Sequence, residues 1–202
     1  MVKIRQNLSH NNNHFWGTNP CNYITIHETG NRTKGANAEM HARYINSGSS
    51  ATWHYTVDDS TIIQHFLDIR QCWHAGDRSG KGNTESIGIE ICINRDGNFL
   101  KAIDNAVDLV AKLVKKHGIP IKNIKQHNYW SGKNCPQQIR SGKYGITWKQ
   151  FIDKVQSKLN NKVPPETNKL YRVQLGAFTN LDNAIKLKEE LIAKGYKDAF
   201  IK

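Results

Sequence analysis

Two segments, "YITIHET" at residues 23–29 and "SIGIEICIN" at residues 86–94, alternate apolar and non-apolar residues with a period of two. That period specifies β-strands, because successive side chains of a strand point to opposite faces of its sheet. In the first segment Ile24 and Ile26 share a face and His27 points away from them. In the second, Ile87, Ile89, Ile91 and Ile93 form a row and Glu90 stands opposite. Each strand thus carries one ionisable group behind an isoleucine row. If the two strands share a sheet, His27 and Glu90 face a common cleft.

The flanking pattern supplies the rest of a domain. "ATWHYTVDDSTIIQHF" at residues 51–66 reads as two strands joined by a turn around Asp58, Asp59 and Ser60. Residues 102–117 place Ile103, Ala106, Val107, Val110, Leu113 and Val114 on one helical face that ends at Gly118. A further helix starts at Thr147, which forms a capping box with Gln150; its apolar positions are Trp148, Phe151, Ile152, Val155 and Leu159. Strands mixed with helices argue for an α/β domain, a central mixed β-sheet flanked by helices. "NKVPPETN" at residues 161–168 breaks the pattern and reads as a linker between a main domain, 1–160, and a tail, 169–202.

Charge and composition exclude more than they specify. Lys and Arg number 29 against 17 Asp and Glu, a net charge of +12 that favours an acidic partner such as nucleic acid, anionic lipid or an anionic cell wall. The basic residues are spread along the chain without an Arg/Lys block or a nucleic-acid module, so no nucleic-acid partner is expected. No stretch approaches the roughly 20 apolar residues of a membrane span, which argues against membrane insertion. The first 17 residues lack the apolar run of a signal peptide, so a cytoplasmic chain is expected. Cys21, Cys72, Cys92 and Cys135 show neither a repeated spacing nor a C-x-x-C, which disfavours a disulfide framework.

"KQHNYWSGKNCP" at residues 125–136 carries the chemistry. Its run of Asn, Ser, Gly, Lys and Asn does not suit a core segment, and its histidine and cysteine suit a metal site or a nucleophile. With His27, His127 and Cys135 would offer two imidazoles and a thiolate, a set that suits zinc. Three protein ligands leave a fourth position for water, whose pKa zinc lowers to about 7. Glu90 could take that water's proton and return it to a leaving amine, and Lys133 could stabilise charge on a carbonyl oxygen. The nine histidines allow many other triples. The spacing of His127 and Cys135 is also not one of the short structural-zinc spacings, so residue types alone leave the assignment open.

Several motifs resemble the type-2 N-acetylmuramoyl-L-alanine amidases, the group that includes phage endolysins, bacterial autolysins and peptidoglycan recognition proteins. "ITIHET" resembles the strand of the first zinc histidine, and "WHYTVDDSTIIQ" the hairpin that follows. "CWHAGDRSGKGNTESIGIEIC" resembles the segment running into a central strand, and "KQHNYWSGKNCP" the second zinc-ligand segment. The resemblance implies zinc on His27, His127 and Cys135, catalytic roles for Glu90 and Lys133, and substrate-groove positions at Thr29, Trp73, His74 and Asn83. It implies cleavage of the amide between N-acetylmuramic acid and L-alanine in bacterial peptidoglycan. There is one departure: Trp53 stands where some members carry a catalytic tyrosine, with Tyr55 two residues on.

An anionic Gram-positive wall accounts for the positive charge. A chain without a signal peptide suits an endolysin held in the cytosol until a holin opens the membrane, after which it acts on the wall; an autolysin is the other form. The alternative is a non-catalytic peptidoglycan recognition protein, and Cys135 speaks against it, since such proteins often lack the cysteine ligand. The tail, residues 169–202, resembles the first half of a sporulation-related (SPOR) repeat, a peptidoglycan-binding module. It is expected to form a small βαβ unit: a strand in "YRVQLGAF", a helix from Leu181 to Lys194 ended by Gly195, and a strand in "DAFI".

Overall fold

The computed structural model describes residues 2–10, 17–160, 174–196 and 199–201. The chain divides into two compact units, Met1–Lys162 and Val163–Lys202. The first unit opens with β1 (Ile4–Gln6), β2 (Tyr23–Glu28), α1 (Ala38–Asn46), β3 (Tyr55–Val57), β4 (Ile62–Gln64), α2 (Lys81–Thr84) and β5 (Ser86–Ile91). It continues with α3 (Phe99–His117), β6 (Ile124–Gln126), α4 (His127–Ser131), α5 (Gln137–Ser141) and α6 (Trp148–Asn160). The second unit contains α7 (Leu181–Ala193). The expected linker, 161–168, lies outside the described residues.

The six strands form one mixed sheet in the order β1-β4-β3-β5-β2-β6. The hairpin of β3 and β4 is antiparallel and the other pairs are parallel. Asp58 closes that hairpin by accepting the N–H groups of Ser60 and Thr61 on Oδ1. In β2 and β5, Ile24, Ile26, Ile87, Ile89 and Ile91 are fully buried and pack against Ile103, Ala106, Val107, Val110 and Leu113 of α3, with Phe151 and Val155 of α6 behind. Ile62 joins this cluster, whereas its neighbour Ile63 packs with Ala38 and Ala42 of α1. Adjacent strand residues point to opposite faces, so α3 and α1 cover opposite sides of the sheet. His27 and Glu90 stand on the α1 side.

Ile93, expected to extend the isoleucine row, lies beyond the end of β5 and is half-buried, because the chain turns at Arg95 and Asp96. Helix α3 begins three residues before the periodic stretch, where the side chain of Asn98 accepts the N–H of Lys101 and caps it. It ends at Gly118, whose φ of 66° is the left-handed conformation that glycine adopts without a steric penalty. The capping box of α6 forms: Thr147 N–H donates to Gln150 Oε1 at 2.8 Å and Gln150 N–H to Thr147 Oγ1 at 3.3 Å.

Of the tail's expected βαβ unit, the helix is present and stops one residue before Lys194, with Gly195 following at a φ of 97°. Residues 174–178 and 199–201 are not paired as strands, while 171–173, 197 and 198 lie outside the described residues.

Two buried histidines make the fold acid-sensitive. Burial holds His54 down at about 4 and His65 at about 3, with neighbouring imidazole charge adding to the effect at His65. Nδ1 of His54 accepts the N–H of Gly88 at 2.9 Å and Nε2 lies 2.8 Å from the Arg70 carbonyl, a pattern only the neutral ring satisfies. Both pKa values are depressed in the fold, so below about pH 6.5 the unfolded chain takes up protons that the fold refuses. Stability is therefore lost as pH falls from about 6.5 towards 3, and the melting temperature should drop by roughly 5–15 °C between pH 7 and 4. His65→Gln keeps a hydrogen-bond partner for Thr56 and should flatten this profile; an unchanged slope would remove His65 as a contributor.

Candidate active site

Parallel pairing of β2 with β5 sets Thr25 opposite Gly88 and His27 opposite Glu90. On the other side of β2, Ile26 pairs with Gln126, the last residue of β6. The next residue, His127, opens α4 and so reaches the same end of the sheet as His27. Helix α4 stops at Gly132, and the chain folds back until Asn128 N–H donates to the Cys135 carbonyl at 3.0 Å. This reversal brings the Cys135 thiol beside β2, where Sγ accepts the Glu28 N–H at 3.4 Å.

Three donor atoms converge there. Nδ1 of His27 lies 2.9 Å from Nδ1 of His127, and the ligand atoms of His27, His127 and Cys135 all fall within 4.8 Å of one another. All three residues are buried. Burial holds His27 well below the ordinary histidine range, helped by His74, His127 and Lys133. Burial and the charge of Lys133 hold His127 at about 4. Both imidazoles are therefore neutral and keep a lone pair at neutral pH. Burial, then the charge of Glu90, pushes the Cys135 thiol up to about 12, so ionising it calls for positive charge alongside.

Glu90 faces this group, with Oε1 3.8 Å from Nδ1 of His27. Burial raises its pKa to about 8; the charge of Lys133 opposes the rise and that of Glu28 adds to it. Its Oε2 is buried with no hydrogen-bond partner, and so is Oγ1 of Thr29, two residues along from His27. Native proteins seldom leave such atoms orphaned. Two neutral imidazoles, a thiol and the orphaned oxygen of Glu90 in one buried spot fit a small, borderline-soft cation with a polar ligand beside it.

The other expected site residues divide. Lys133 is exposed on the loop between α4 and α5, and its charge acts on His27, His127, Cys135 and Glu90. Trp73 is 39% exposed. Asn83 and His74, the other two residues expected along a substrate groove, are both buried. Asn83 is fully buried; Oδ1 accepts the N–H groups of His74 and Ala75 and Nδ2 donates to the Arg78 carbonyl, so no polar atom is left over. His74 is buried with its ring edge-on to His27. Trp53 is also buried, donating from Nε1 to Thr56, and Tyr55 lies on the α3 side with its hydroxyl bonded to Asp68. No tyrosine of the hairpin reaches the site.

Sequence reasoning missed Glu28. Its carboxylate accepts the N–H groups of Gln138 and Ile139 at 2.8 and 3.0 Å, tying α5 and the Cys135 loop to β2. The signal was available, since alternation puts Glu28 on the isoleucine face, where a carboxylate needs donors.

The N-acetylmuramoyl-L-alanine amidase profile matches residues 17–138, and the SPOR domain profile matches residues 148–202. The second match starts within α6, whose Phe151 and Val155 pack in the core of the first unit. The chain is 41% identical to the N-acetylmuramoyl-L-alanine amidase CwlH of Bacillus subtilis over 88% of its own length and 70% of CwlH. It is 48% identical to XlyA, an amidase of the same organism, over 64% of this chain and 42% of XlyA. In structure it is similar to a mutant endolysin from Bacillus subtilis, with a TM-score of 0.73 and 42% identity over 77% of this chain and 99% of that one. Fold and sequence are those of a cell-wall-lytic hydrolase. The chain belongs to the N-acetylmuramoyl-L-alanine amidase family.

Proposed function

We propose that the protein is a zinc-dependent amidase that hydrolyses the bond between the lactyl group of N-acetylmuramic acid and L-alanine in peptidoglycan. The observation that carries this reading is the convergence of His27, His127 and Cys135 within 4.8 Å, with the buried carboxyl of Glu90 beside them. These three residues would hold the ion, which when bound supplies Lewis acidity and brings the pKa of water down to about 7.

Glu90 takes the proton of the attacking water and passes it to the departing alanine nitrogen. A carboxyl with a pKa of about 8 suits a group that must both accept and return a proton near neutral pH. Lys133 stabilises the negative charge that develops on the carbonyl oxygen. The orphaned Thr29 hydroxyl hydrogen-bonds the substrate, and the exposed face of Trp73 supports sugar or peptide. Residues 1–160 form the catalytic domain, 161–168 the linker and 169–202 a partial SPOR-like wall-binding module. The similarity to an endolysin and to Bacillus amidases supports a role as an endolysin, released to the wall through a holin, or as an autolysin. Among the described residues no helix is long and apolar enough to cross a membrane.

The test is to incubate the full chain with Gram-positive peptidoglycan and follow new amino groups and new reducing sugars, with and without a zinc chelator. Chelator-sensitive release of N-terminal alanine without reducing ends is expected. Binding to the wall with neither product would replace the reading with a non-catalytic recognition protein.

A further inference from the structure

We infer that the loop Trp73–Gly76 orients both candidate metal-binding histidines, with His74 as the positioning residue for His27; this rests on the zinc reading above. The starting point is the far nitrogen of each imidazole. Nε2 of His27 lies 3.0 Å from Nδ1 of His74. His127 makes a hydrogen bond to the backbone of Ala75, the next residue, and its Nε2 lies close beside Gly76. One short loop thus meets the outer edge of both rings, although they come from β2 and α4.

Proton placement fixes the direction of each bond. A His27 ring that offers the Nδ1 lone pair carries its hydrogen on Nε2, which donates to Nδ1 of His74. His74 then carries its own hydrogen on Nε2, where the Ser86 carbonyl is the backbone group acting on the ring. That Nε2 is buried and has no hydrogen-bond partner among the described residues, so the Ser86 backbone acts on it only as a nearby dipole. The Ala75 carbonyl does the same for His127 by accepting its hydrogen. These partners turn Nδ1 of each ring towards the other, 2.9 Å apart, where an ion would meet them. Hydrogen-bond partners of this kind set the tautomer and angle of metal-binding histidines.

The loop is itself clamped. Asn83 Oδ1 accepts the N–H groups of His74 and Ala75, each at 2.7 Å, so one amide fixes both positioning residues. Asp77 accepts the N–H groups of Gly82 and Asn83 and holds α2, the element that presents Asn83. Room for the His74 ring comes from Gly88 on β5: a Cβ there would sit 2.8 Å from the ring. An alanine at 88 would push His74 off His27.

Two measurements test the role. The first uses the unaltered, metal-free chain with 15N-labelled histidine and reads ring-nitrogen shifts. His27 is expected as the Nε2–H tautomer already, with that proton hydrogen-bonded to His74. A His27 found with its proton on Nδ1 would overturn the inference. The second compares zinc affinity by chelator competition. His74→Leu, which fills space without an acceptor, should weaken zinc binding about 10- to 100-fold. His74→Asn, which puts an amide oxygen near the Nδ1 position, should recover most of it, and the cobalt-loaded spectrum should return towards the parent's. A His74→Leu protein that binds zinc within about twofold of the parent would remove the role. Failure of the parent to bind zinc at all would instead remove the proposed function.

Discussion

Glu90→Gln is expected to lower the release of alanine amino groups from peptidoglycan by about 100- to 10,000-fold while zinc binding stays at the parent's level. The carboxamide matches the carboxylate in size, and β5 and β2 keep Glu90's position opposite His27 in register, so the fold should be unaffected. What disappears is an acceptor for the proton of the attacking water. Glu90 is not among the three converging donors, so metal content should stay at the parent level. Elemental analysis and amino-group assays on the same sample separate the two quantities. Parent-level turnover with zinc bound would take Glu90 out of the mechanism, whereas loss of both would make it a metal ligand.

Cys135→Ser should cost the metal itself. A serine hydroxyl does not ionise near neutral pH, so a soft anionic donor becomes a hard neutral one and affinity should fall by about a hundredfold or more. Ligand binding stabilises a fold by RT ln(1 + [L]/Kd), about 2.7 kcal/mol when zinc stands at 100 times the parent's Kd. For a chain of this size that raises the parent's melting temperature by roughly 5–10 °C, and the variant's rise should be close to nil. Stoichiometric zinc in purified Cys135→Ser, with the parent's thermal shift, would exclude Cys135 as a ligand.

The parts of the site legible in sequence are those that depend on local periodicity. Isoleucine rows placed His27 and Glu90 on one face, because period two needs no knowledge of the partner strand. His127 was marked by residue type, but its position depends on β6, three residues long and too short to show a period. Cys135 depends on a chain reversal that no local pattern encodes. His74 and Asn83 are legible as residues near the cleft, whereas their burial, which comes from α2 and β5 packing over the loop, follows no local period. In the tail the helix is legible by composition and capping, with Asn180 accepting the N–H of Asp182. Strands there require pairing that the described residues do not have.

The two imidazoles come from positions 100 residues apart, one on β2 and the other just past β6. Between them the chain must complete β3, β4, β5 and the long crossover α3, and parallel strands separated in this way pair late in folding. An ion held by these residues would therefore have no binding place until those late contacts have formed. Zinc should leave the refolding rate unchanged and slow the unfolding rate, acting as a latch on the finished domain and not as a seed for it.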